Sequence, residues 1–475
     1  MANQRKSARL TITSLTSLVL LVLLSIMLQA GHSSAVEHLV TQEKNTPALT
    51  DSVHFEIMVS SVKELREALQ NTLPGTIISI APGLYSSGIY MKDVHGSPDS
   101  PIVVTGADPE NPPVFMGYGE GAKLSSCSFI KLANMTFQGF TKNGMNIDDG
   151  GKVETSSHHI ILDNITVLDI GPKGNRDALK MSGVDHFIVR NSQFKGWGGS
   201  GIDMVGCHNG VVENCRFIGV DGYRTANGIQ VKGGSRSILV QNSFFENAGE
   251  RVVHIGGSTG KQYFRPARTS YEAKDVTVAG NTFVGGEAQV AWITAQESHV
   301  HHNLFYLPTK WVGRILQETK DPMFKPSQNG LFENNMVITD NRVRTFFNIG
   351  RRTKPSSFVF RTNAWFNPQG KVVPSLPTPE KDGIYDLDPG IVDKGDGVLI
   401  ATSADPRIKN VGPWNYSPWV AQVEFGDITL KRVLTPAPPP PSTSKSSLTL
   451  VGSLVVIGLL FLGYFGYRAL RPVQR

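Results

Sequence analysis

The chain has 475 residues, 40% apolar and 18% charged, enough to bury a large core, which excludes wholesale disorder and a small disulfide scaffold. Its 48 glycines, about 10% against a usual ~7%, favour a turn-dense, strand-rich chain over a helical bundle. The net charge is +6, but residues 1–35 and 448–475 hold six bases and no acid, so the remainder is neutral; the basic balance speaks for membrane topology, not nucleic-acid binding.

Arg5, Lys6 and Arg9 precede an apolar run at 18–28, LVLLVLLSIML, and small residues follow to Ala35. This pattern predicts a secretory signal over 1–35, with an uncleaved anchor as the alternative, and a linker over 36–54. Residues 55–80 read as a strand (55–59), an amphipathic helix (62–69) and a strand (76–80), a cap leading into the first coils up to 125. Repeats occupy 126–375, and 376–434 is expected to be a C-terminal coil and cap. A Pro/Ser-rich linker (435–447) precedes LTLVGSLVVIGLLFLGYFGY at 448–467, twenty residues without a charge, the length that spans a ~30 Å hydrocarbon core. Arg468, Arg471 and Arg475 place the 468–475 tail in the cytoplasm. The domain between is then expected to be exported and tethered to a membrane, with no obligate protein partner. Cys127, Cys207 and Cys215 are odd in number and lack metal-ligand spacing, so they are expected as buried small apolar side chains.

A short strand containing Asn recurs nine times, as LANMTF (132–137), LDNITV (162–167), VRNSQF (189–194), VENCRF (212–217), VQNSFF (240–245), VAGNTF (278–283), VHHNLF (300–305), FENNMV (332–337) and FRTNAW (360–365). A second strand follows in the first eight. Its centre falls 14 positions after the start of the first at Asn146, Asp203, His254, Trp292 and Arg314. The residues flanking each centre are almost all apolar, so they point inward and the centres outward. Strands without helical units, repeated with asparagine turns, predict an all-β chain folded as a single-stranded right-handed parallel β-helix, a solenoid with an N-terminal helix cap.

The cap sequence SSVKELREALQNTLPGTIISIAPGLY (60–85), followed by GSPDSPIVVTG (96–106), resembles the start of pectate-lyase-superfamily β-helices, in particular chondroitinase-B-like and alginate lyases. The resemblance implies the fold, an acidic polysaccharide as partner and, as in that group, a base and an arginine on successive coils beside bound Ca²⁺.

The outward column reads Asn146, Lys180, Asp203, Gln230, His254, Trp292, Arg314, Asn348, with Asn143, Asp177, Ser200, Asn227, Arg251 and Gln289 three residues earlier. At ~4.8 Å per coil, Lys180, Asp203, Gln230 and His254 form a ridge, the expected cleft floor. Elimination beside a uronate carboxylate needs a base and an array that stabilises the enolate. His254 has the intrinsic pKa for the base and Arg251 the fork for a carboxylate. Lys180 is the rival base, although Asp203 one coil away should keep it protonated; a Lys180–Asp203 surface ion pair is the plainer alternative. Asp177, Asp203 and Asp148 are candidate Ca²⁺ ligands. Gln230 lies on the floor, and Trp292, taken as exposed, would stack on a sugar. The turn GSTGKQYFRPARTSYEAK (257–274) carries Lys261, Arg265, Arg268 and Lys274 against Glu272 alone; with Tyr263 it is expected to form a basic lid over the ridge.

EAQVAWITAQESHVHHN (287–303) is similar to the catalytic region of the chondroitinase-B-like group, but Ala295 or Gln296 stands where that group has its lysine. The resemblance therefore carries over only Glu287, as a metal ligand, and Arg314. The expected function is a lyase cleaving an acidic polysaccharide by β-elimination. The alternatives are a uronate epimerase, which shares the proton abstraction, and a non-catalytic, adhesin-like glycan binder.

Overall fold

The computed structural model describes residues 55–420 and 424–428. The segments read as signal, linkers and membrane span lie outside these residues. Among the described residues no helix is long and apolar enough to cross a membrane.

Each full coil is built from three strands, as in Val184–Arg190, Gln193–Trp197 and Ser200–Val205. Each strand pairs in parallel with its counterpart one coil on: Phe187 lies beside Gly210, Phe194 beside Phe217 and Asp203 beside Gln230. The third strands form a ten-stranded parallel sheet from Ile89–Lys92 to Phe347–Ile349. The predicted solenoid is present, and its alternation is the reason: inward residues such as Ile202, Met204, Ile229 and Val231 are wholly buried, and hydrophobic burial drives the stacking. Along one inner edge, Phe194, Phe217, Phe245, Phe283, Phe305 and Phe332 stack ring on ring, with centroids 4.7–5.4 Å apart.

The recurring asparagines split into two groups with different jobs. Asn134, Asn164, Asn191, Asn214 and Asn242 turn the corner between first and second strands with φ of 48–55°, a left-handed conformation that asparagine tolerates. Asn281, Asn303, Asn335 and Asn363 sit one residue later and point inward. Each of the first three donates from Nδ2 to the Oδ1 of the next at 3.0 Å, and Asn363 ends the file on Glu380 at 2.7 Å.

The cap is as expected. Strand Phe55–Val59 pairs with Thr76–Ile80, and helix Val62–Gln70 buries Leu65, Ala68 and Leu69 over the first coil. Ser61 accepts the Glu64 N–H while Glu64 reaches back to the Ser60 N–H at 2.7 Å, satisfying donors the helix start would leave orphaned. The three cysteines are buried and free, with burial first among the causes raising Cys127 to about 11 and Cys207 and Cys215 to about 12.

The C-terminal part differs from a simple end cap. Ile384–Tyr385 closes a last partial coil, an antiparallel hairpin follows (Ile391–Asp393 with Leu399–Ala401), and the tail runs back along the side of the stack. The Gly412 N–H bonds Asn334, Tyr416 bonds Gln241, Glu424 bridges Lys131 and Arg190, and Asp427 reaches His159 and His186. Nothing in the strand repeat announces this return.

Candidate functional site

The ten-stranded sheet carries the outward column in the predicted register from Asn146 through Lys180, Asp203 and Gln230 to His254. Beyond His254 the neighbours are Ala291, Arg314 and Asn348, so Trp292 is displaced by one. The corner before its strand is three residues (285–287) where the preceding coil has four (247–250), which shifts the alternation and turns Trp292 inward. It is 1% exposed and packs on Phe332, Phe347 and Phe358; it is core, not a sugar platform. Gln289 is likewise buried, donating to the Gly285 and Tyr306 carbonyls.

The ridge faces outward but is not exposed. Asp177 and Asp203 are wholly buried and His254 is 1% exposed. Lys180 sits 2.6 Å from Asp203 Oδ2 and 3.4 Å from Asp177 Oδ2, and Lys232 lies 2.8 Å from Asp203 Oδ1. Burial pulls the Lys180 ammonium down, but Asp203 and Asp177 outweigh it and hold it above the ordinary lysine value. Burial and the Asp203 carboxylate push Asp177 up, to about 6. For Asp203 the upward push of burial is outweighed by Lys232 and Lys180, leaving it below the usual aspartate range. Lys180 is therefore a fixed cation, which removes it as the rival base; it is also three coils from His254, ~14 Å along the stack.

The His254 tautomer follows from its neighbours. Lys232 only donates, so Gln230 Oε1, 3.0 Å away, accepts. Asn227 Nδ2 then donates to Gln230 and to Ser200 Oγ, leaving Asn227 Oδ1 to accept from His254 Nδ1 at 3.1 Å. With the proton on Nδ1, the neutral ring presents a bare lone pair at Nε2, which is buried and without a protein partner among the described residues. Burial, then Arg251, Lys232 and Arg314, lower the ring well below the ordinary histidine value. Arg251 has its own unpartnered buried Nε and reaches Glu318 at 3.1 Å. Arg314 lies over the Trp311 ring at 4.5 Å and donates to Asn348; burial and then Arg251 lower it. Between His254 and Arg314 the column holds only the short Ala291. The charges of Arg251 and Arg314 both act on His254 across a position without a long side chain, a positive niche of the kind that suits an anion.

The four expected Ca²⁺ ligands do not assemble. Asp177 and Asp203 are spent on Lys180 and Lys232, Asp148 accepts from Ser125 at 2.5 Å and faces Lys123 at 3.6 Å, and Glu287 pairs with Lys310 at 3.2 Å. With ammoniums already on each carboxylate, this donor set does not fit a calcium ion. Among the described residues, the histidines and carboxylates placed closely enough to hold a metal are His159, His186 and Asp427 on the far side. There the Ile428 N–H donates to His186 Nδ1, which puts the ring proton on Nε2 and denies that atom to a metal.

The basic turn 257–274 is not a lid. Arg265 crosses the turns beside the ridge to Asp149, filling the space where a Cβ on Gly183 or Gly206 would come within 2.6–2.7 Å of it. Phe264 is buried against Phe324 at 5.4 Å, and Glu272 accepts the Gly233 and Thr259 N–H groups. Lys261 pairs with Asp321 and Lys274 with Glu297. Tyr263 and Arg268 remain exposed. At the opposite end of the strip a concavity of about 530 Å³ is lined by Tyr90, Lys92, Lys123 and Asp148. Lys232, Glu318 and Trp311 were missed from sequence. Lys232 had a signal, lying two residues after Gln230 on the same outward alternation, whereas Glu318 comes from an irregular turn.

These coils make the chain a right-handed parallel β-helix. Residues 120–308 match the family described as right handed beta helix region. Among solved structures the chain is similar to an alginate lyase from Paenibacillus sp. (18% identity, 70% of this chain and 99% of that one, TM-score 0.41). It is also similar to a lacto-N-biosidase from Eubacterium ramulus (12%, 70% and 68%, 0.45) and a surface adhesin of Streptococcus pneumoniae (12%, 68% and 84%, 0.42). No curated protein matches the chain.

Proposed function

We propose that the outward strip binds an acidic polysaccharide chain by a uronate carboxylate held between Arg251 and Arg314, and that His254 breaks the chain by β-elimination. The observation that carries this is the unpartnered Nε2 lone pair of His254 beside two arginines. Nε2 takes the proton next to the carboxylate, and the guanidiniums stabilise the charge that develops there. The C–O bond to the neighbouring sugar breaks as the new C=C forms, and the imidazolium returns its proton to the departing oxygen. Asn227 holds the ring in the required tautomer. This reaction is assigned to the outside of the cytoplasm, in keeping with the charge-flanked apolar runs at 18–28 and 448–467.

The test is ultraviolet absorbance with pectate, alginate and glycosaminoglycans. Rising absorbance on one polymer, lost in His254→Gln with binding retained, is the expected result; a flat trace on all of them overturns elimination. Deuterium uptake from solvent without absorbance would mean epimerisation. The 1% exposure of His254 favours a second reading, a non-catalytic glycan binder, for which His254→Gln changes affinity at most.

A further inference from the structure

Two stretches of the described residues, 257–274 and 342–354, are rich in basic side chains, and the structure treats them in opposite ways. In the 257–274 turn Lys261, Arg265 and Lys274 are committed to Asp321, Asp149 and Glu297. Residues 342–354, RVRTFFNIGRRTK, hold five bases and no acid. Arg342 pairs with Asp340 at 2.7 Å; Arg344, Arg351, Arg352 and Lys354 are exposed and have no ion-pair partner among the described residues.

Their place in the fold gives this charge a direction. Strand Phe347–Ile349 is the last of the ten-stranded sheet, and its Asn348 accepts from Arg314 Nε at 3.3 Å. The Gly350 N–H bonds the Ile315 carbonyl at 2.8 Å, so Arg351 and Arg352 leave the sheet directly beyond the Arg314 strand, and Arg344 enters it on the other side. The free charges therefore bracket the end of the strip that starts at the His254 niche. Like charges left unpaired at one edge repel each other and create a local positive field; an extended polyanion running off that end would neutralise them.

We propose that this edge is the exit path of the bound chain, and that the ligand is a densely charged polysaccharide, with anionic groups recurring along its length, lying over Arg344, Arg351 and Arg352 after passing Arg314. The proposal rests on the reading of the strip as an acidic-glycan site, and its test uses binding, not turnover.

The full chain and its Arg351→Gln/Arg352→Gln variant are titrated with long polygalacturonate and with trigalacturonate at low and high salt. These exposed positions leave the urea midpoint unchanged. The expected result is about a tenfold weaker Kd for the long polymer at low salt, from two exposed charge contacts of a few-fold each. The difference shrinks at high salt, trigalacturonate affinity is unchanged, and Arg351→Lys/Arg352→Lys retains most of the affinity. Equal affinity of parent and Gln variant for the long polymer overturns the proposal, as does an equal loss for the trimer. Tighter binding of the parent to phosphatidylserine vesicles than to any polygalacturonate also overturns it, reassigning the edge to a membrane surface. If no polymer is cleaved while the length-dependent loss persists, elimination fails and this inference stands; cleavage without that loss is the reverse.

Discussion

Asn281, Asn303, Asn335 and Asn363 are as deeply buried as Asp203 and His254, and both sets are polar files running up the same β-helix. In the asparagine file every side chain hands its amide to the next and to backbone carbonyls, ending on Glu380. In the strip, two carboxylates and two ammoniums share a desolvated space, and Arg251 Nε and His254 Nε2 are left without protein partners. A buried polar file that closes on itself serves the fold. One with open valences has polar atoms that an ordered water or a ligand must satisfy.

The sharpest way to break this contrast is Asp203→Leu, which takes the carboxylate from Lys232 and leaves Lys180 with Asp177 alone; removing one member of a buried ionic set costs about 3–5 kcal/mol, read as a lowered urea midpoint. Trp292→Ala should lose a similar ~3–5 kcal/mol, because it opens a cavity in the core, and a change near zero would return Trp292 to the surface. Asn335→Ala takes the acceptor from the buried Asn303 backbone N–H and the donor from the Val300 carbonyl, at a cost of about 1–3 kcal/mol; a neutral outcome would deny the file its structural role.

Acid separates the two sides further. The folded-state pKa of His254 is depressed, so its contribution is present above about 6.5 and is lost as pH falls below that. Stability between pH 7 and 5 should therefore decline less in His254→Gln than in the parent. Glu333, held down to about 2 against the upward push of burial by His299 and Arg361, contributes above its ordinary value of 4.5 and loses that contribution as pH falls from there toward 2. Glu333→Gln should flatten the denaturation curve in that lower window alone. The smallest effect belongs to Lys261→Ala, whose solvent-screened pair with Asp321 should leave the urea midpoint where it was.

The solenoid and the register from Asn146 to His254 were legible because inward apolar residues alternate strictly with the polar centres. The alternation failed at Trp292, where a corner one residue shorter is invisible to a count taken from the strand before it. Outward was also equated with exposed, and in this fold it is not: side chains on adjacent coils, ~4.8 Å apart, cover one another, as Lys180 and Lys232 cover Asp203. The charge of the 257–274 turn misled for a different reason. Its partner Asp149 lies 116 residues from Arg265, and no local pattern reports such a pairing, while the unpaired bases of 342–354 look no different in sequence.

The file of phenylalanine rings from Phe194 to Phe332 has a consequence for how the molecule ages and evolves. Within the file each ring stacks on the ring above and the ring below, so damage at one rung falls first on its two neighbours and attenuates along the stack. Coils distant from His254 are thus free to drift, lengthen their corners or acquire new surface chemistry while the niche keeps its shape.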